Sequence, residues 1–199
     1  NFRYEAGETV THPSYYDRTY NLRQVTKTWF VSEPFNEMPQ AGHTFLSFDF
    51  KNGDYLTITI EARKTKAQTY SAFRGLFRSY PLMYIPADER DTILVRANQR
   101  KDKVYVYPVA ASPEKSRELL TSMLMRMNDM QEHPVWYNSV FANCTSSIAK
   151  HVNEVSPGAV SMLSWKLLLT AHADELALSS GLLDTTLPIA QARQRFQIN

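Results

Sequence analysis

HTFLSFDFKNGDYLTITIEA, residues 43–62, consists of two alternating apolar and polar runs around the turn signal KNGD, and its register decides how the first half of the chain folds. A two-residue Asn52-Gly53 loop would set Leu56 opposite Asp49 and Ile58 opposite Ser47, mixing apolar and polar residues on both faces. A three-residue loop, Lys51 to Gly53 with Gly53 in the left-handed conformation, sets Leu56 opposite Phe48 and Ile58 opposite Leu46. Apolar pairing therefore selects the three-residue loop. That register also places His43 opposite Glu61, where cross-strand Cβ atoms roughly 4.5–5.5 Å apart let an imidazole and a carboxylate hydrogen-bond.

Outward from this hairpin, the runs KTWFV, PLMYI, DTILVRA and KVYVYPV read as further strands,. The second half reads as helices. SPEKSRELLTSMLMRMNDM opens with Ser112 as N-cap and Pro113 at the first helical position, and its Met123, Met125, Met127 and Met130 read as core filler,. A second helix starts at Cys144 after Asn143, and a third covers SWKLLLTAHADEL. Strands first and helices after predict an α+β fold, an antiparallel sheet packed by helices. Without an internal repeat or a proline-rich linker, residues 1–199 read as a single domain,.

Composition narrows the function classes. The net charge is +2, and lysines and arginines are interspersed with acids, so nothing argues for nucleic-acid binding,. Charged residues interrupt every apolar run before the roughly 18 residues a membrane helix needs. The chain opens at Asn1 without a methionine, which leaves room for a removed signal peptide, lipid anchor or flanking membrane helices,. A lone cysteine fits either redox compartment.

That cysteine, Cys144, lies in PVWYNSVFANCTSSIAKHV. The plain reading is an inert buried thiol, since free cysteine is among the most buried residue types. Three features oppose it. Asn143 is a strong N-cap type, which puts Cys144 in the first helical turn, where unpaired N–H groups and the helix dipole stabilise a thiolate. The residues that follow are small and polar, leaving one side of the helix start open to substrate. The His43–Glu61 pair supplies a base and its orienting acid, completing the nucleophile, base and third-group pattern. The Cys144 backbone N–H would serve as oxyanion donor, supplemented by Asn143, Asn138 or Tyr137; for WYN, the alternative is an aromatic anchor with a turn-forming asparagine.

The other histidines are weaker partners. His151 lies seven residues beyond Cys144, about 10 Å along the same helix axis,. His12, His133 and His172 read as structural or exposed, and no spacing with the cysteine suggests a zinc site, so neither metal nor cofactor is expected. Arg63, Arg90 and Arg100 could fork onto a phosphate, although nearby carboxylates also offer ordinary ion pairs. Arg63 shares the strand face of Glu61 and is placed to tune that acid.

HTFLSFDF, YLTITIEARK, GLFRSYPLMYIPADERDTILVRANQR, WYNSVFANCTSSI and SWKLLL with GLLDTTLPIAQARQRFQIN together resemble the N-terminal periplasmic domain of Lnb-type bacterial lipoprotein N-acyltransferases. The resemblance implies a papain-like fold in the circularly permuted, NlpC-type order, with the histidine strand before the cysteine helix. A similar order occurs in permuted NlpC-type amidases and the lecithin:retinol acyltransferase group, the latter also with an Asn-Cys pair at the nucleophile. It implies Cys144 as nucleophile, His43 as base and Glu61 as orienting acid. It further implies a bacterial periplasmic location, a phospholipid-type acyl donor, an amine acceptor such as a lipoprotein N-terminus, and contact with a membrane surface.

Three functions compete at this point: a cysteine acyltransferase, a peptidoglycan or peptide amidase with the same catalytic residues, and a binding module in which Cys144 is core. An apolar groove favours the first and a polar cleft the second.

Overall fold

The computed structural model describes residues 15–36, 38–63 and 79–199. Five strands form one antiparallel sheet: β1 (Val25–Phe35), β2 (Met38–Phe50), β3 (Tyr55–Ala62), β4 (Leu82–Ala87) and β5 (Tyr105–Pro108), in the spatial order β4-β3-β2-β1-β5. Four helices follow, α1 (Pro113–Glu132), α2 (Cys144–Val155), α3 (Ala173–Ser179) and α4 (Ile189–Phe196), so the fold is α+β as the order of elements predicts.

The β2–β3 register is the one that apolar pairing selects. Phe48 faces Leu56 and Leu46 faces Ile58, and the turn closes with Phe50 N–H donating to the Asp54 carbonyl at 3.0 Å. Gly53 takes φ +83°, a conformation costly for residues with a Cβ,.

Alternation along β2 and β3 gives the sheet two apolar faces. One carries Leu46, Phe48, Ile58 and Ile60 and packs against α1, α2 and α3 through Leu120, Met123, Ile148 and Ala177. The other carries Val31, Phe45 and Val106 and is covered by Ile93 and Ala97.

That cover corrects the reading of DTILVRA as a strand, because residues 90–99 form a wide helix in which the Arg100 N–H reaches back five residues to the Val95 carbonyl at 3.0 Å. The topology explains the difference. β4 lies at one edge of the sheet and β5 at the other, so the connection between them must cross the face it spans. A helix presenting Ile93 and Ala97 one turn apart buries that face. Asp88 opens the turn by accepting from the N–H groups of Asp91 and Thr92.

Two helix readings also need adjustment. In α1, Ser112 caps the Lys115 N–H and Met123 is fully buried, but Met125 is exposed on the solvent side rather than filling the core. The third helix is broken into turns at Trp165–Leu167 and Thr170–His172 before α3 begins. Thr170 is the reason: its hydroxyl accepts from the Gly42 N–H at 2.8 Å and donates to the Gly42 carbonyl at 2.7 Å, fixing the segment to β2.

Candidate active site

β2 delivers His43 and β3 delivers Glu61 to the same side of the sheet. His43 Nε2 lies 3.1 Å from Glu61 Oε1 and 2.6 Å from the Thr59 hydroxyl, which itself donates to Glu61 Oε1 at 3.0 Å. The imidazole also stacks on Phe45, with ring centroids 5.6 Å apart. These contacts fix the ring plane and occupy Nε2, leaving Nδ1 as the nitrogen available to a nucleophile.

Gly42 permits this placement. A Cβ there would lie 2.9 Å from the Glu33 carbonyl oxygen and 3.3 Å from Ala171 Cα, so β1 and the Thr170 segment close on the backbone just ahead of His43.

Cys144 begins α2. Asn143 Oδ1 accepts the Ser146 N–H at 2.8 Å while Ser146 Oγ accepts the Asn143 N–H at 3.0 Å, a complete capping box,. The amide of Asn143 also donates to the carbonyls of Ser139 at 3.0 Å and Leu167 at 2.8 Å. Asn143 therefore ties the loop before the helix to the loop after it, and its side chain is spent on structure. The N–H groups of the first turn have no intrahelical acceptor, which makes the helix start a natural place for negative charge.

Cys144 and His43 act on each other, and this interaction governs both groups. Burial alone would push the imidazole down, but the Glu61 carboxylate and the Cys144 sulfur outweigh it and raise the pKa of His43 to about 10,. Burial would likewise push the thiol up, yet its hydrogen bond and charge interaction with His43, aided by Thr44, hold it below its ordinary value. Glu61 is lowered to about 2, since His43 and Arg96 overcome the effect of its burial. Each group therefore favours the charged form of the other, thiolate on Cys144 and imidazolium on His43.

Cys144, His43 and Glu61 line one cleft of about 510 Å³. It crosses the end of the sheet, taking Ile60 and Ala62 from one face of β3 and Glu61 from the other. Its lining includes apolar Phe35, Met38 and Leu168 and polar Glu33, Arg96 and Arg100. Among the described residues no group of three metal-ligating side chains occurs, and no helix is long and apolar enough to cross a membrane.

The model of the Lnb N-terminal periplasmic domain matches residues 11–171, which span every residue of this cleft. The chain belongs to that family. Its place is accordingly the bacterial periplasm. No curated protein and no solved structure shows a match to the chain.

Other candidate residues of this Lnb-type domain fall in different places. Tyr137 is buried and lines the cleft, whereas Asn138 Oδ1 accepts the N–H groups of Val140 and Phe141 and shapes the loop ahead of the helix. Arg63 is exposed and outside the cleft lining, Arg90 lies 3.6 Å from Asp91, and Arg100 alone of those three arginines reaches the cleft. His151 bonds Tyr84 and Ser122, His172 pairs with Glu175, and His133 with Asp129. His12 lies outside the described residues.

Sequence reasoning missed Arg96 and Glu33. Arg96 Nε donates to Glu33 Oε2 at 2.6 Å and Nη2 to Glu61 Oε1 at 3.2 Å, so one guanidinium clamps Glu61 to a second, fully buried carboxylate. Arg96 also lies over Phe45, the ring on which the imidazole stacks. Glu33 is the β1 neighbour of His43, and burial raises its pKa against the pull of Arg96.

Proposed function

We propose that this domain catalyses thiol-dependent acyl transfer in the bacterial envelope, as a papain-like enzyme of permuted NlpC-type order with Cys144 as nucleophile, His43 as acid and base, and Glu61 as orienting acid. The observation that supports this most strongly is the continuous chain from the helix-start thiol through the His43 ring to Glu61.

The chemistry closes on these residues. The Cys144 thiolate attacks the carbonyl carbon of an acyl ester, and the carbonyl π pair moves onto oxygen beside the Cys144 backbone N–H. Collapse of this intermediate breaks the ester C–O bond. The leaving alkoxide takes the proton from His43, and the acyl group remains as a thioester. An amine then attacks the thioester, His43 accepts its proton, and the C–S bond breaks to give an amide and the thiolate again. A phospholipid-type ester as donor and a lipoprotein N-terminus as acceptor suit this sequence. The apolar lining residues Phe35, Met38 and Leu168 support an acyl substituent in the cleft that holds the thiol.

A second reading is favoured by the polar part of the lining. Glu33, Arg96 and Arg100 suit a charged or amide-rich ligand, as expected of a peptidoglycan or peptide amidase with water as acceptor,. A binding module without catalysis is the third reading, and a native thiol indifferent to His43 would favour it. Incubation with a diacyl lipopeptide and, separately, with a muropeptide distinguishes the first two. N-acylated lipopeptide supports acyl transfer; cleaved muropeptide with untouched lipopeptide supports the amidase.

A further inference from the structure

Two arginines reach the Cys144 cleft, and they differ in how they are used. Arg96 is committed to the protein: Nε donates to Glu33 Oε2, Nη2 to Glu61 Oε1 and Nη1 to the Thr92 carbonyl at 3.0 Å. Arg100 also lines the cleft, is exposed, and forms no ion pair among the described residues. The carboxylates around it are already held. Arg96 pairs with Glu33 and Glu61, Glu61 also meets His43, and Asp102 Oδ1 accepts from Asn36 Nδ2 at 3.0 Å.

The backbone keeps Arg100 at this place. It ends the wide helix, with its own N–H on the Val95 carbonyl and the Asp102 N–H on the Arg96 carbonyl, both at 3.0 Å. Between them Lys101 takes φ +57°, in the left-handed region that a residue with a Cβ rarely adopts,. Among the described residues it is the only residue other than glycine to do so. A wide helical turn and a left-handed side-chain residue are both costly to hold, and both concentrate at functional positions. Here they stop the helix four residues beyond Arg96, so that both arginines line the cleft before the chain leaves for β5.

A free guanidinium in a cleft whose carboxylates already have partners calls for a negative ligand, and its planar fork of donors fits two oxygens of one oxyanion. We propose that Arg100 is the oxyanion subsite of the Cys144 cleft and binds a singly charged phosphodiester or carboxylate carried by the substrate near the bond that the thiol attacks. This deepens the acyl-transfer reading by stating which group accompanies the scissile bond, and rests on it only for attack by the thiol. A neutral ester lacks one of the two points of attachment.

Charge selectivity at the thiol tests this without turnover, so a failure here is distinct from a failure of acyl transfer. Alkylation of Cys144 by anionic iodoacetate and by neutral iodoacetamide is compared at about 10 mM ionic strength, where charges are screened only over about 30 Å. The ratio of the two rates cancels the thiolate fraction, which both reagents share. Arg100→Gln should lower the iodoacetate-to-iodoacetamide ratio about fivefold, Arg100→Lys should retain most of it, and about 1 M salt should remove the difference between the chains. A second measurement needs no reactive thiol. Dimethyl phosphate and N-acetylalanine are titrated separately into the Cys144→Ser chain while the Arg100 Nε–H resonance, assigned by its loss in Arg100→Lys, is followed. A shift with either anion supports the subsite, and the one effective at lower concentration tells a phosphodiester headgroup from a peptide carboxylate. A rate ratio unchanged by Arg100→Gln, or a resonance that neither anion moves, overturns the proposal.

Discussion

Replacing Arg96 with methionine removes the cation that holds two carboxylates beside His43 while retaining most of the side-chain volume. The Arg96 side chain is 10% exposed and that of Glu33 only 1%, so the Glu33 pair is a buried ion pair. Removing one partner of such a pair costs roughly 3–5 kcal/mol, because the other charge stays buried. Glu61 is about a third exposed, and its share is discounted for solvent screening,. At roughly 2–4 °C per kcal/mol for a chain of this size, the melting temperature should fall by roughly 6–20 °C. The deficit should also depend on pH. Burial already raises the pKa of Glu33, and without Arg96 it rises further. A carboxyl group whose folded pKa is raised leaves stability intact below its unfolded pKa and removes it as pH climbs. The variant should therefore lose more at about pH 8 than at about pH 5. Thermal melts followed by circular dichroism at both values read this directly, with Arg96→Lys expected to recover part of the loss. A shift below about 3 °C that is the same at both pH values would refute the clamp.

Other expectations concern the thiol and its helix. Iodoacetamide should alkylate Cys144 rapidly below neutral pH, since the thiol is held below its ordinary value and His43 stays protonated up to about 10. His43→Ala should move the alkylation profile up toward or beyond that of an ordinary thiol, because burial is then opposed only by the Thr44 hydrogen bonds; Glu61→Gln should produce a smaller change. A rate at about pH 6 that is slow and unaffected by His43→Ala would point to an unpaired thiol. Asn143→Ala removes the cap and leaves the Ser139 and Leu167 carbonyls without their donor, so denaturant unfolding should show a loss of about 2 kcal/mol or more,. A change under about 0.5 kcal/mol would mean that Asn143 does not hold the two loops together.

The hairpin and the helix start were legible because local rules fix them. Leu46, Phe48, Leu56 and Ile58 can share a face in only one of the two registers, and that choice carries His43 to Glu61. Asn143 beside Cys144 states a helix N-terminus in two residues. Arg96 was not legible, because TILV has the β-branched composition of a strand; only the positions of β4 and β5 at opposite edges require a helix there. Glu33 was hidden for a related reason. KTWFV ends at Val31, whereas β1 continues to Phe35 through pairing with β2, and tertiary contact extends an element beyond its local signal,. The break near Thr170 likewise depends on Gly42, 128 positions away in sequence, a separation at which no local pattern operates.

The central claim is that Cys144 carries the acyl group, and intact-mass spectrometry after brief incubation with a phospholipid or diacyl lipopeptide tests it most directly. The account predicts a mass increase equal to one acyl chain, mapped to Cys144, released by hydroxylamine and absent from Cys144→Ser. His43→Ala should accumulate far less of it. An acyl adduct on another residue, or N-acylated product formed equally well by Cys144→Ser, would contradict it.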